Sequence, residues 1–323
     1  MSSSGADSMR PSGSRREATR GAKGWVGRAT LEMLAEALGP AGLRHRVLAF
    51  GATDRRLVLR GGLEVEIAAL DRLDSVEPRP ALILHYAFLG REKTAEMPLA
   101  DYVAANARIG AILHRAIERL RPAGLFLSSS GAAVAGGDLA ANPYGVLKRR
   151  DETEFAAASA AAGTRLIMAR IFNLAGPYIN KLAGYALASF LLDALAGRPV
   201  TIRAARRVER SYVHVGDVVA LALAALLDPA GDALAFETAG ERVVEVGDLA
   251  RLLLDTLGRP DLPIERPAPD PALPADRYVG DPAAMRALAA RHGLALTPLP
   301  DQIRHTADYI AGLAGLPAGA AHS

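Results

Sequence analysis

Short apolar runs alternate with helix-length amphipathic stretches as far as Gly176, and this alternation restricts the fold more than any other feature. Residues 46–50, 81–85, 124–128 and 165–170 read as buried strands, and 28–38, 102–120 and 144–162 as helices. Parallel strands need long crossovers, and helices are the usual ones, so the pattern predicts an α/β chain with a doubly wound parallel sheet. Gly39-Pro40 is a stop signal for the first helix, and residues 56–67 read as a hairpin turning at Gly61-Gly62. Beyond Pro177 the pattern changes. Short strands at 200–202 and 211–213 separate helices at 185–196 and 217–227, a proline-rich stretch 259–282 reads as a loop or lobe connection, and a last helix is expected at 301–314.

With 323 residues, half of them hydrophobic, the chain can bury a large core. No apolar run is long enough to span a bilayer, so no membrane partner is expected. The absence of cysteine rules out disulfides, thiolate metal sites and a Cys nucleophile, and fits a cytoplasmic location. The formal charge is +3, with Arg10, Arg15, Arg16, Arg20, Lys23 and Arg28 in a Ser/Gly-rich opening. Aromatics make up only 5% of the chain, too few for a basic-aromatic nucleic-acid surface. The opening lacks the apolar segment of a secretory signal, and no His/Asp/Glu cluster has metal-ligand spacing, so no metal is expected.

Tyr144 stands four residues ahead of Lys148, on one face of a helix. An ammonium there can lower the phenol's pKa and bind a cofactor hydroxyl, while Ser130 hydrogen-bonds the same substrate oxygen. Tyr-x-x-x-Lys alone is a weak signal, common on solvated helix faces. A second pattern supports it. Gly21, Gly24 and Gly27, with Trp25 and Val26 between the last two, precede the first helix; such spacing lets backbone approach a pyrophosphate at a helix N-terminus. The residues before it, 14–20, are polar and charged where a buried first strand is expected. After the strand 46–50 no acid stands where one would bind an adenosine ribose, and Arg55 and Arg56 lie just beyond. An arginine pairing with a 2′-phosphate favours NADP(H) over NAD(H); the plainer alternative is that both are solvated hairpin residues and Asp54 binds the ribose.

In order along the chain, these pieces resemble the extended short-chain dehydrogenase/reductase family of NAD(P)-dependent sugar-nucleotide epimerases, dehydratases and reductases. Gly21, Gly24 and Gly27 match its glycine loop. Leu84-His85-Tyr86-Ala87-Phe88 resembles the cofactor-lining apolar-His-x-Ala-Ala segment, and Asn106 its helix asparagine. Ser130, Tyr144 and Lys148 match its catalytic set. Arg170 through Pro177, with Asn173, resembles the segment joining cofactor and substrate sites, and Arg210 an arginine that contacts nucleotide-sugar phosphates.

The resemblance implies a Rossmann-type NAD(P)-binding domain over 15–177 and a mainly substrate-binding lobe over 178–316, parts of which return to the first domain. Tails are expected at 1–14 and 317–323. It also implies a nucleotide-sugar substrate and a homodimer built from the helices at 102–120 and 145–162. The implied chemistry is hydride transfer, with Tyr144 as acid/base, Lys148 on the nicotinamide ribose and Ser130 on the substrate oxygen. Gly131-Ala132-Ala133 after Ser130 can move no proton, which disfavours a dehydratase. Epimerase and ketoreductase both remain, as does a non-catalytic dinucleotide sensor or assembly protein. Each remaining residue also has a plainer reading. His85, His214 and Trp25 read as packing residues, Asp217 as a helix N-cap, Asn173 as a loop satisfier, and Arg210 as an ion-pair partner of Glu209 or Asp217.

Overall fold

A computed structural model describes residues 24–313 apart from 181 and 183; Gly21 and the charged segment 14–20 lie outside the described residues. Helix α1 (Trp25–Arg46) is two helical pieces joined at a kink, where Gly39 has φ 67° and Pro40 follows. Proline has no N–H to donate and its ring clashes with the preceding turn, so the expected stop is a bend, after which the chain resumes helix. Strand β1 (Ala49–Gly51) pairs in parallel with β3 (Glu64–Ala69), and β2 (Arg55–Val58) pairs antiparallel with β3, forming the expected hairpin.

A further sheet holds β4 (Leu82–His85), β5 (Gly124–Ser130) and β6 (Arg165–Ile171), all parallel. Helix α2 (Leu99–Leu120) crosses from β4 to β5 and α3 (Pro143–Ala162) from β5 to β6. β5 is central and buried along nearly its whole length, which is why it opens on an unbroken apolar run, Leu125 to Leu127, and not an alternating one. His85 and Ser130 stand at the carboxyl ends of their strands, the side on which open α/β sheets bind ligands.

The C-terminal half begins with β7 (Asn173–Ala175) and α4 (Ala186–Leu195), followed by β8 (Val200–Thr201), β9 (Val208–Arg210), β10 (Tyr212–His214) and α5 (Val215–Leu227). β11 (Leu234–Glu237) returns to the main sheet beside β6. Then come β12 (Val244–Glu245), α6 (Val246–Thr256), β13 (Ile264–Glu265), β14 (Asp276–Tyr278), α7 (Ala283–Arg291) and α8 (Leu299–Leu313). The proline-rich stretch therefore carries two short strands: β13 pairs with β8, and β14 with β9. Helix α5 is apolar almost all round because it lies between α1 and strands β5 and β6, in the largest core cluster. Among the described residues no helix is long and apolar enough to cross a membrane.

Candidate active site

Three of the expected residues converge where β5 ends and α3 begins. Asn142 caps α3, its side chain accepting the Gly145 N–H at 3.1 Å, and Pro143 sits in the first turn, where its missing N–H costs nothing. The same Asn142 amide donates to the carbonyls of Ala132 (3.2 Å), Gly136 (3.3 Å) and Ala135 (3.4 Å), stapling the loop after Ser130 to the helix. Gly145 is required for that approach. A Cβ there would meet the Ala132 carbonyl oxygen at 2.1 Å.

Ser130 is buried, and its hydroxyl accepts the Ala132 N–H at 3.2 Å. Burial pushes the Tyr144 phenol up to about 12, while a hydrogen bond from Ser130 pulls the other way. The expected lowering of this phenol by Lys148 is absent. The buried Lys148 ammonium turns instead to the Ser128 carbonyl (2.8 Å) and to the face of Phe88, 3.9 Å from the ring centroid. Burial holds Lys148 down at about 8, opposed by Asp151 and Glu152. The Phe88 ring also packs edge-on against Tyr144, with centroids 5.6 Å apart. His85 is packed and neutral: burial and the Lys148 charge hold it down at about 3.

Asn106 is buried and holds the strand-end loop in place, its Oδ1 accepting the Leu89 N–H at 2.8 Å and its Nδ2 donating to the Tyr102 carbonyl at 3.1 Å. Trp25 is buried, donating from its indole to the Pro177 carbonyl at 2.6 Å. Asn173 donates to the carbonyls of Tyr278 (2.9 Å) and Ser211 (3.2 Å), satisfying loop backbone. Arg210 pairs with neither Glu209 nor Asp217 through a carboxylate. Its fork holds Asp276 at 2.9 and 3.2 Å, because β14 lies directly beside β9. Asp217 is not the N-cap of α5 either: His214 caps it, and Asp217 accepts from the Thr297 backbone and hydroxyl, both at 2.8 Å. Asp54 is engaged by the Ala69 N–H (2.7 Å) and by Arg72 (2.5 Å). Arg56 is exposed and pairs with Glu64 at 3.7 Å, whereas Arg55 folds back over Gly51, and its buried Nε has no partner among the described residues.

Two participants carried no signal in the sequence. The Tyr278 hydroxyl, from the end of β14, lies 3.4 Å from the Ser130 Oγ, and its ring packs on Phe172 at 4.8 Å. Glu152 is buried, accepts from Ser129 at 2.5 Å and receives the Arg170 fork at 2.9 and 2.7 Å, which locks α3 to the sheet. Tyr278 lies far along the chain from Ser130, and by sequence Glu152 is one more helix-surface charge.

The NAD dependent epimerase/dehydratase family matches residues 20–236. The chain belongs to that family. Comparison with curated proteins gives no match. Among solved structures it is similar to UDP-glucose 4-epimerase from Thermotoga maritima with UDP-glucose, at TM-score 0.69 and 20% identity, over 91% of this chain and 98% of that one. The Thermus thermophilus UDP-glucose 4-epimerase complex with NAD aligns at TM-score 0.65 and 22% identity, over 90% and 97%. UDP-N-acetylglucosamine 4-epimerase from Methanobrevibacter ruminantium, in complex with UDP-N-acetylmuramic acid, aligns at 0.68 and 15%, over 90% and 96%. The Rossmann-type fold expected from the sequence is the fold of these enzymes.

The residues present fit the dinucleotide of this family. Among the described residues, helix α1 has no side-chain cap and nothing lies within 4 Å of a Cβ placed on Gly24, an arrangement that suits a pyrophosphate on its first N–H groups. Among the described residues Lys148 makes one conventional hydrogen bond, and an ammonium has further donors that could serve ribose hydroxyls. Among the described residues no three His, Cys, Asp or Glu side chains are grouped to hold a metal.

Proposed function

We propose that the protein is an NAD(P)-dependent epimerase of nucleotide-linked sugars, UDP-sugars first among them, with Tyr144 as its proton donor and acceptor. The observation that carries this reading is the meeting of Ser130, Tyr144 and Lys148 at the carboxyl end of β5, inside the family-matched region. When bound, the nicotinamide would take and return hydride at the sugar carbon. Ser130 orients the reacting oxygen. Tyr144, protonated at neutral pH, is poised to donate, and accepts a proton only when its phenolate is stabilised. Lys148 supplies a charge and N–H donors for ribose hydroxyls. No carboxylate follows Ser130, so water elimination has no acid-base pair there.

Arg55 supports a second reading, a ketoreductase that uses NADPH. Its guanidinium stands beside Gly51, at the end of β1, where it could pair with a 2′-phosphate. We further propose a cytoplasmic homodimer joined through α2 and α3, tested by light scattering on the purified protein.

Incubation with NAD and UDP-glucose or UDP-N-acetylglucosamine, followed by NMR of the sugar, tests the epimerase. Tyr144→Phe should lower kcat by about a thousandfold while NADH affinity stays within about twofold. Unchanged turnover in that variant removes Tyr144 from the chemistry. Net consumption of NADPH with a ketosugar would favour the reductase. Binding without turnover would favour a dinucleotide sensor.

A further inference from the structure

We infer that Phe88 is a built-in plug on the cofactor side of the Lys148–Tyr144 pair, a ring that the dinucleotide must displace in order to bind. The inference rests on the proposed function, in which Lys148 holds the nicotinamide ribose. Where the family pattern has a second small Ala after the strand-end histidine, this chain has Phe88. Its ring lies 3.9 Å from the Lys148 Nζ and 5.6 Å from the Tyr144 ring, between the two groups that a ribose diol must reach.

Lys148 is 5% exposed, and Asp151 and Glu152 act on it through space without an ion pair among the described residues, Glu152 being held by Arg170. One N–H goes to the Ser128 carbonyl, and the aromatic face takes the cation's remaining field. A ribose hydroxyl would need those same N–H directions, so ring and ribose compete for one ammonium. The backbone cannot withdraw to settle the contest. On the next residue, the Leu89 N–H is held by Asn106 and its carbonyl by the Tyr102 hydroxyl, both at 2.8 Å. On the other side, the Tyr86 side chain is anchored at its hydroxyl, which accepts from the Thr30 hydroxyl at 2.9 Å. What remains free is rotation of the Phe88 side chain, which is only partly buried. Loading therefore means swinging the ring outward against its attraction to Lys148. The return of the ring favours release.

The test is NADH and NADPH affinity, followed by nicotinamide fluorescence, and dissociation rate by stopped flow, for wild type, Phe88→Ala and Phe88→Leu, each checked for folding by circular dichroism. Phe88→Ala should bind about tenfold tighter and release correspondingly more slowly. Phe88→Leu, which keeps apolar bulk but has no aromatic face, should fall between. Equal or weaker binding by Phe88→Ala, with the wild type binding normally, overturns the plug and leaves the proposed function standing. Failure of all three proteins to bind either dinucleotide at millimolar concentration overturns both.

Discussion

Lys148 is a cation that the fold keeps out of water, and its titration couples to stability. Its pKa falls from 10.5 to about 8 on folding because burial disfavours the charged form. Between those values the unfolded chain binds more protons than the native one, so this residue's penalty is full below pH 8 and fades as pH rises towards 10.5. Lys148→Met should accordingly stabilise the protein at pH 7 by about 1–3 kcal/mol, even as it removes the proposed ribose contact. Urea unfolding at pH 7 and at pH 10.5 checks the sign: the gain should shrink at the higher pH. Gly145 is limited by space and not by charge. A methyl group there would meet the Ala132 carbonyl at 2.1 Å, so Gly145→Ala must displace either the loop or the helix start. It should cost at least about 2 kcal/mol in chemical denaturation and lower turnover with it.

Helix α3 carries the site as a single object. Tyr144, Lys148 and Glu152 recur every fourth residue, so one face presents the phenol, the ammonium and the carboxylate that bolts the helix to β6 through Arg170. Glu152→Ala should cost about 1–3 kcal/mol, because the buried Ser129 hydroxyl loses its acceptor and the partly exposed Arg170 guanidinium is left with Glu237 alone among the described residues. A thermal melt would show this, and a loss no larger than that of a surface mutation would count against the bolt. The Tyr–Lys spacing was legible in the sequence because helical periodicity is local, and Asn106 was legible through its segment. The role of Glu152 was not, because its partner sits on a strand that pairing, not spacing, brings near. The pKa of Tyr144 departs from expectation for a related reason: spacing places Lys148 on the same face but does not say which way its ammonium turns.

Across the whole molecule, the alternating N-terminal half was readable because buried parallel strands are apolar runs of the right length. The C-terminal half was less so. Its strands are two to four residues long, and α7 directly follows the proline-rich stretch. The contacts that finish the site come from there: Tyr278 reaches Ser130, and Asp276 holds Arg210. Asp276→Asn should loosen that latch and free Arg210, lowering KM for a UDP-sugar by a factor of about two to five with kcat little changed. A raised KM would mean that the ion pair positions Arg210 and does not sequester it. The sequence contains one tryptophan, and Trp25 joins three parts of the fold: the start of α1, the Pro177 carbonyl and the Tyr185 ring 5.9 Å away. Its emission therefore reports that single joint, while far-ultraviolet dichroism averages every helix. If the two unfolding curves separate, the joint opens as a step of its own.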